Sequence, residues 1–202
     1  HTQQIGRVTA DVSSGNAVFS QQGDKYAVVD GGYWDSMGVV SIYDFDRCTG
    51  LLRNPFFDTL VIPRFSLGQG ASFSPDGRYF YANNRNDLYQ YDMKELSKPR
   101  IHIATYDGFY FGNNPNFRTT QFGFWASGPD GRLYNVSGAG SARHMHVMDY
   151  PNEEGEACSF RQHAIKIPNN PWSIPNFPHY RLGPLDGSPC DTLGLDNHPI
   201  AK

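Results

Sequence analysis

Gly23, Gly77 and Gly131 stand 54 residues apart, and the residues around them recur with them. The segments AVFSQQGDKYA from Ala17, ASFSPDGRYFY from Ala71 and WASGPDGRLYN from Trp125 align without a gap. An aromatic residue follows each glycine by three positions: Tyr26, Phe80 and Tyr134. A chain that repeats a whole supersecondary unit at a fixed period must stack copies of that unit, because one copy cannot bury its apolar face alone.

The unit itself is readable. Pro75 and Pro129 preset φ at the first corner of a tight turn, and Gly77 and Gly131 supply the positive φ that closes it. Alternating apolar residues on both sides predict a β-hairpin. Further strand signals cover residues 39–44, 88–92 and 145–149, and two units add a third at 101–104 and 163–167. The one helix candidate, residues 93–96, is soon stopped by Pro99. Roughly four short strands in about 50 residues is the grammar of a propeller blade. The expected fold is therefore all-β, a β-propeller, with units near 15–68, 69–120 and 121–170 and a closing segment at 171–202. A sandwich, the other all-β option, does not require the repeat. At this period 202 residues make about 3.7 blades, whereas closed rings have roughly four to eight. The chain is either a small four-bladed ring or, as we expect, part of a larger one, since an open arc leaves sheet edges bare.

Charge narrows the function. Lys and Arg number 17 against 20 Asp and Glu, a net of −3, which argues against a strongly basic nucleic-acid binder. No apolar run is long enough to span a bilayer as a helix. The chain starts at His1 without a leader-like stretch, so we expect a removed start or a longer parent protein. Cys48, Cys158 and Cys190 form no C-x-x-C, which argues against a zinc cluster. Cys48 and Cys158 fall at similar places in different units, so a bridge between them is not expected; Cys190 is open to a partner upstream of this chain.

Three groups of residues bear on chemistry. His144 and His146 form H-x-H on one strand face, and a third ligand such as His163 or Asp149 would complete a zinc or copper site. No third ligand stands at fixed spacing, so the expectation is ordinary strand residues and no metal. Asp44, Asp92 and Asp149 recur in each unit, which points to a repeated structural job such as capping a turn. Neither Asp44-x-Asp46 nor the Asp30 loop has the calcium-loop pattern. Two Gly- and Asn-flanked aromatic loops carry Tyr33 and Trp34, and Tyr106, Phe109 and Tyr110. Rings beside amides suit recognition of a sugar or peptide, while packing between blades is the other use of such rings. No G-x-S-x-G, G-x-G-x-x-G or Walker loop is present, and no catalytic residue or cofactor is expected.

The tail from Trp172 to Gly194, WSIPNFPHYRLGPLDGSPCDTLG, resembles a motif of large secreted Bacteroidetes proteins exported by the type IX secretion system. The element DFDRCTG from Asp44 to Gly50, the SPDGR turn from Ser74, and Ala157-Cys158 with Gln162-His163 extend the likeness from about residue 15 onwards. The resemblance implies a seven-bladed propeller, of which this chain would be the C-terminal half, and an extracellular or cell-surface location. The remaining blades, on the same protein or a sister fragment, would be its first partner. It also brings in the Asp-Ser/Thr-apolar tripeptide that Bacteroidetes O-glycosylate, matched at Ser36, Thr59 and Thr192. The sequon at Asn135 lies on a predicted strand and is expected to stay unmodified. Together these readings suggest a non-enzymatic module for adhesion, scaffolding or binding of a glycan or protein partner; the alternative is a metal-dependent propeller hydrolase or lactonase.

Overall fold

The computed structural model describes residues 2–6, 14–31, 37–62, 69–113, 119–138 and 142–168. Among the described residues twelve strands form three antiparallel sheets, each a meander of four consecutive strands. Sheet 1 holds β1 (Ser14–Phe19), β2 (Lys25–Gly31), β3 (Met37–Asp46) and β4 (Leu51–Val61). Sheet 2 holds β5 (Gly70–Phe73), β6 (Tyr79–Asn83), β7 (Asp87–Asp92) and β8 (Ile101–Thr105). Sheet 3 holds β9 (Phe122–Ser127), β10 (Leu133–Ser137), β11 (His144–Met148) and β12 (Phe160–Lys166). The first strand of sheet 2 packs against the first strands of sheets 1 and 3, so the sheets succeed one another face to face without closing among the described residues.

The repeated turns join the first two strands of each sheet. Gly23, Gly77 and Gly131 have φ of 69°, 72° and 81°, and their amides donate to the carbonyls of Ser20, Ser74 and Gly128. The recurring aspartates do structural work. Asp44 pairs with Lys25, Asp92 with Arg78 at 2.7 Å, and Asp149 with Arg132 at 3.2 Å and Arg161 at 2.6 Å. Asp92 Oδ1 also accepts the Lys94 amide at 2.8 Å.

Sheet 2 is covered on both faces, and β6 is buried throughout. Phe80 and Ala82 face a core shared with Val29, Val40 and Leu60 of sheet 1. Their neighbours Tyr79 and Tyr81 face the opposite core, with Phe122, Trp125 and Met148 of sheet 3. Alternation along a strand thus serves two cores, so the segment reads as continuously apolar.

Polar clamps tie the sheets together. Trp125 Nε1 donates to Asn83 Oδ1 at 2.6 Å. The buried Tyr81 hydroxyl donates to the Pro151 carbonyl at 2.8 Å and accepts from Gln90 Nε2 at 2.7 Å. Between sheets 1 and 2, Asp58 receives Arg100 and the Tyr91 hydroxyl. Partial burial pushes the Asp58 carboxyl upward, but bonds from Arg100, the Thr59 amide and Tyr91 outweigh it and hold the group below the usual carboxylate range. Asp58→Ala strips a partner from a partly buried cation and a buried phenol. It should cost about 2 kcal/mol, read as a lower urea midpoint at unchanged slope.

Three expectations change. Residues 93–96 are not helical: Glu95 N–H bonds Asp92 O and Lys98 N–H bonds Glu95 O, giving two successive turns before Pro99. The third sheet's outer strand starts at Phe160 rather than His163, and sheet 1 has a fourth strand, β4, that the sequence reading missed.

Candidate functional site

Two of the sequence candidates meet at one place. The segment after β8 carries Tyr106, Phe109 and Tyr110, and it lies against the outer strands of sheet 3, which carry His144, His146 and His163. A bulge makes the meeting possible. Met145 pairs with Ile165 and Val147 with Arg161, so residues 162–164 of β12 stand opposite His146 alone. His163 takes φ of 40°, and its amide donates to His146 Nδ1 at 3.0 Å. Bulges re-aim side chains in this way. Here the bulge sends His163 to Asp107 Oδ2 at 2.9 Å and lets Gln162 bond both the Asp107 amide at 3.2 Å and the Thr105 carbonyl at 2.8 Å.

The aromatic segment is held at many points. The Phe109 carbonyl accepts the Tyr106 hydroxyl, the Thr120 amide at 3.2 Å and the Thr120 hydroxyl at 3.0 Å. The Phe109 ring stacks on His163 with centroids 4.1 Å apart and meets His144 edge-on at 5.1 Å. Tyr106 and Phe109 are therefore mainly packing rings. Tyr110 is different: it is 44% exposed and its backbone bridges to Thr119. Beside it, the Phe111 ring lies near the Arg143 guanidinium at 5.6 Å and the Lys166 ammonium at 6.0 Å. The result is a fixed ledge of aromatic faces with two exposed cations.

The histidines do not converge as ligands. His144 and His163 have ring centroids 6.5 Å apart, at right angles. His146 is fully buried against Phe122 and Phe160. Its Nδ1 accepts a bond, so Nε2 carries the proton, and that nitrogen is buried with no hydrogen-bond partner among the described residues. Burial pushes its pKa down to about 4. His144 is also held below the usual imidazole value, first by loss of water and then by the charges of His163 and Lys166. Among the described residues no group of three or more His, Cys, Asp or Glu is placed to hold a metal ion.

The remaining candidates scatter. Tyr33, Trp34, Ser36 and Thr192 lie outside the described residues. Thr59 is exposed on β4, between Asp58 in its clamp and the buried Leu60. Asn135 is buried on β10 and exchanges two bonds with the Gly123 backbone, at 3.1 and 2.8 Å. Cys48 is in a disulfide and Cys158 is a buried free thiol, so the two are not joined; Cys190 lies outside the described residues. Burial beside Tyr81 pushes the Cys158 thiol up to about 11, which makes it a poor nucleophile at neutral pH. One residue went unnoticed in the sequence. Arg85, in the turn between β6 and β7, is half-buried without a carboxylate partner among the described residues. No sequence signal marks it beyond its place in an Asn-rich turn.

No protein-family model matches the sequence, and no curated protein matches it. Solved structures do. The periplasmic gluconolactonase of Pseudomonas aeruginosa is similar at 19% identity and a TM-score of 0.50, over 81% of this chain and 47% of that one. Hydrazine synthase of Kuenenia stuttgartiensis matches at 14% identity and a TM-score of 0.42, over 74% of this chain and 36% of that one. The holo PQQ domain of pyranose dehydrogenase from Coprinopsis cinerea matches at 13% and 0.42, over 71% and 35%. The chain spans less than half the length of each of these structures. At such identities the likeness is one of fold: all-β, antiparallel four-stranded sheets in a propeller-like succession.

Proposed function

We propose that the chain is part of a larger extracellular β-propeller, the C-terminal portion of a seven-bladed ring, and that it binds a glycan or protein partner without catalysing a reaction. The observation that carries the binding role is the ledge at Tyr110 and Phe111. Its rings stand on a segment already fixed by Phe109, Asp107 and Thr120, so little ordering cost is left to the moment of binding. Exposed aromatic faces beside amides and cations suit a sugar ring or an aromatic or acidic peptide side chain. The further blades would cover the outer faces of sheets 1 and 3.

A glycan array and a peptide array probed with the purified protein test this. Binding by the wild type should weaken about thirtyfold when Tyr110 and Phe111 are both replaced by Ala; Tyr110→Ala alone, at an exposed ring, should weaken it with the thermal midpoint almost unmoved. Equal binding by the double variant sinks the ledge. Hydrolysis of a sugar lactone that depends on added divalent metal, with no array signal, replaces this reading by the hydrolase alternative.

A further inference from the structure

Arg85 sits in the turn between β6 and β7, where the start of β9 and the segment after β8 both meet it: its carbonyl accepts the Phe122 amide at 2.9 Å, and the Asn86 carbonyl accepts the Tyr106 amide at 2.7 Å. Among the described residues its guanidinium makes one hydrogen bond, from Nη2 to Gln121 Oε1 at 2.7 Å, and its buried Nε has no partner there. The carboxylate next in sequence is turned away, since Asp87 Oδ1 is taken by Thr105 at 2.8 Å and His102 at 3.1 Å. Buried charge in proteins is ordinarily matched by an opposite charge, and arginine cannot escape by releasing its proton. A neutral amide oxygen does not supply that charge. Yet the residue as a whole is only half-buried, which leaves the turn a solvent-facing side from which an anion would approach.

The neighbours indicate which anion. Gln121 is held between Arg85 and Asn86, with Nε2 on Asn86 Oδ1 at 2.8 Å, and the Thr119 hydroxyl donates to its oxygen at 3.2 Å. Amides and a hydroxyl beside one uncompensated guanidinium suit a carboxylate carried on a hydroxyl-rich body, and the fork of an arginine fits a carboxylate in two-point fashion. We infer that Arg85, with Asn86, Thr119 and Gln121, forms a binding site for the carboxylate of a sugar acid. This site does not depend on the ledge at Tyr110 and Phe111, and either can fail alone.

The test titrates sodium D-glucuronate into the wild type and follows the thermal midpoint, with sodium chloride at equal ionic strength, methyl glucoside and inorganic phosphate as the other arms. Glucuronate alone should raise the midpoint by several degrees. Arg85→Met should weaken glucuronate binding roughly thirtyfold or more, while its own ligand-free midpoint is equal to or above that of the wild type, because an uncompensated charge has been removed. Gln121→Glu places a carboxylate beside the guanidinium from within, so it should raise the ligand-free midpoint and abolish the response. The inference is overturned if glucuronate leaves the wild-type midpoint unmoved, if phosphate acts as strongly, or if both variants respond as the wild type does.

Discussion

Replacing Gly70 by alanine is expected to cost about 3 kcal/mol, enough to remove a large share of the stability of a domain of this size. Gly70 opens β5, where the first strand of sheet 2 lies directly against Gly123 of the first strand of sheet 3. A Cβ there would overlap the carbonyl oxygen of Gly123 and stand 2.8 Å from both Asn83 Oδ1 and Trp125 Cδ1. The first of these is backbone and cannot swing aside. The other two form the Trp125–Asn83 bond that clamps the sheets, so relief by side-chain movement breaks that bond. Gly131→Ala makes the control: its Cβ meets nothing within 4 Å, and the cost is only that of a positive φ of 81°, about 1 kcal/mol. Urea denaturation of the two variants should separate them by roughly 2 kcal/mol. Equal midpoints would show that the first strands are free to move apart.

The second large effect is a loss of stability in mild acid that traces to His146. An imidazole in the unfolded chain titrates near ~6.5, whereas burial holds His146 at about 4 in the folded protein. Above ~6.5 both states are neutral there and the contribution is complete. As the pH falls from ~6.5 towards 4, the unfolded chain takes up a proton that the folded one refuses, and stability falls. The sum is about 3 kcal/mol by pH 4. His144 acts in the same direction. Comparison of His146→Gln with the wild type isolates the one site: the variant's stability, measured by urea at a series of pH values, should fall less steeply across that window. Parallel curves would mean that His146 charges without penalty.

The turns were legible because each uses a residue type that few other positions demand: Pro75 and Pro129 for a fixed φ, and Gly77 and Gly131 for a positive one. The strand β6 was legible as apolar, but not its division between two cores, since that depends on sheets on either side. The strand β4 was hidden by its own irregularity. Asn54 has φ of 49° and the register slips between Ile42 and Asp44, which breaks the alternation that would have announced a strand. The short 3-10 helix Gly155–Cys158 was equally silent, being only four residues long.

Site residues were legible as kinds and not as places. The H-x-H pair and the aromatic loop were both singled out, yet nothing in the sequence joined residues so far apart. The bulge in β12 joins them, and its three-against-one pairing exists only in three dimensions and leaves no fixed mark in composition. Arg85 was passed over for a related reason. A guanidinium in a polar turn reads as solvated, and only the crossing of the turn by residues 119–122 buries it.

Each sheet is made from one uninterrupted stretch of chain, and this bears on how the molecule reaches its structure. All ladder hydrogen bonds close between segments near in sequence, so the entropy cost of loop closure stays small while a sheet forms. The distant contacts, such as Trp125 with Asn83 and Tyr81 with Pro151, come into play only when finished sheets dock. Folding can then start in any one sheet and spread to its neighbours, as in other linear arrays of repeats. Sheet 2, which docks on both sides, is the member whose weakening should slow that spread most.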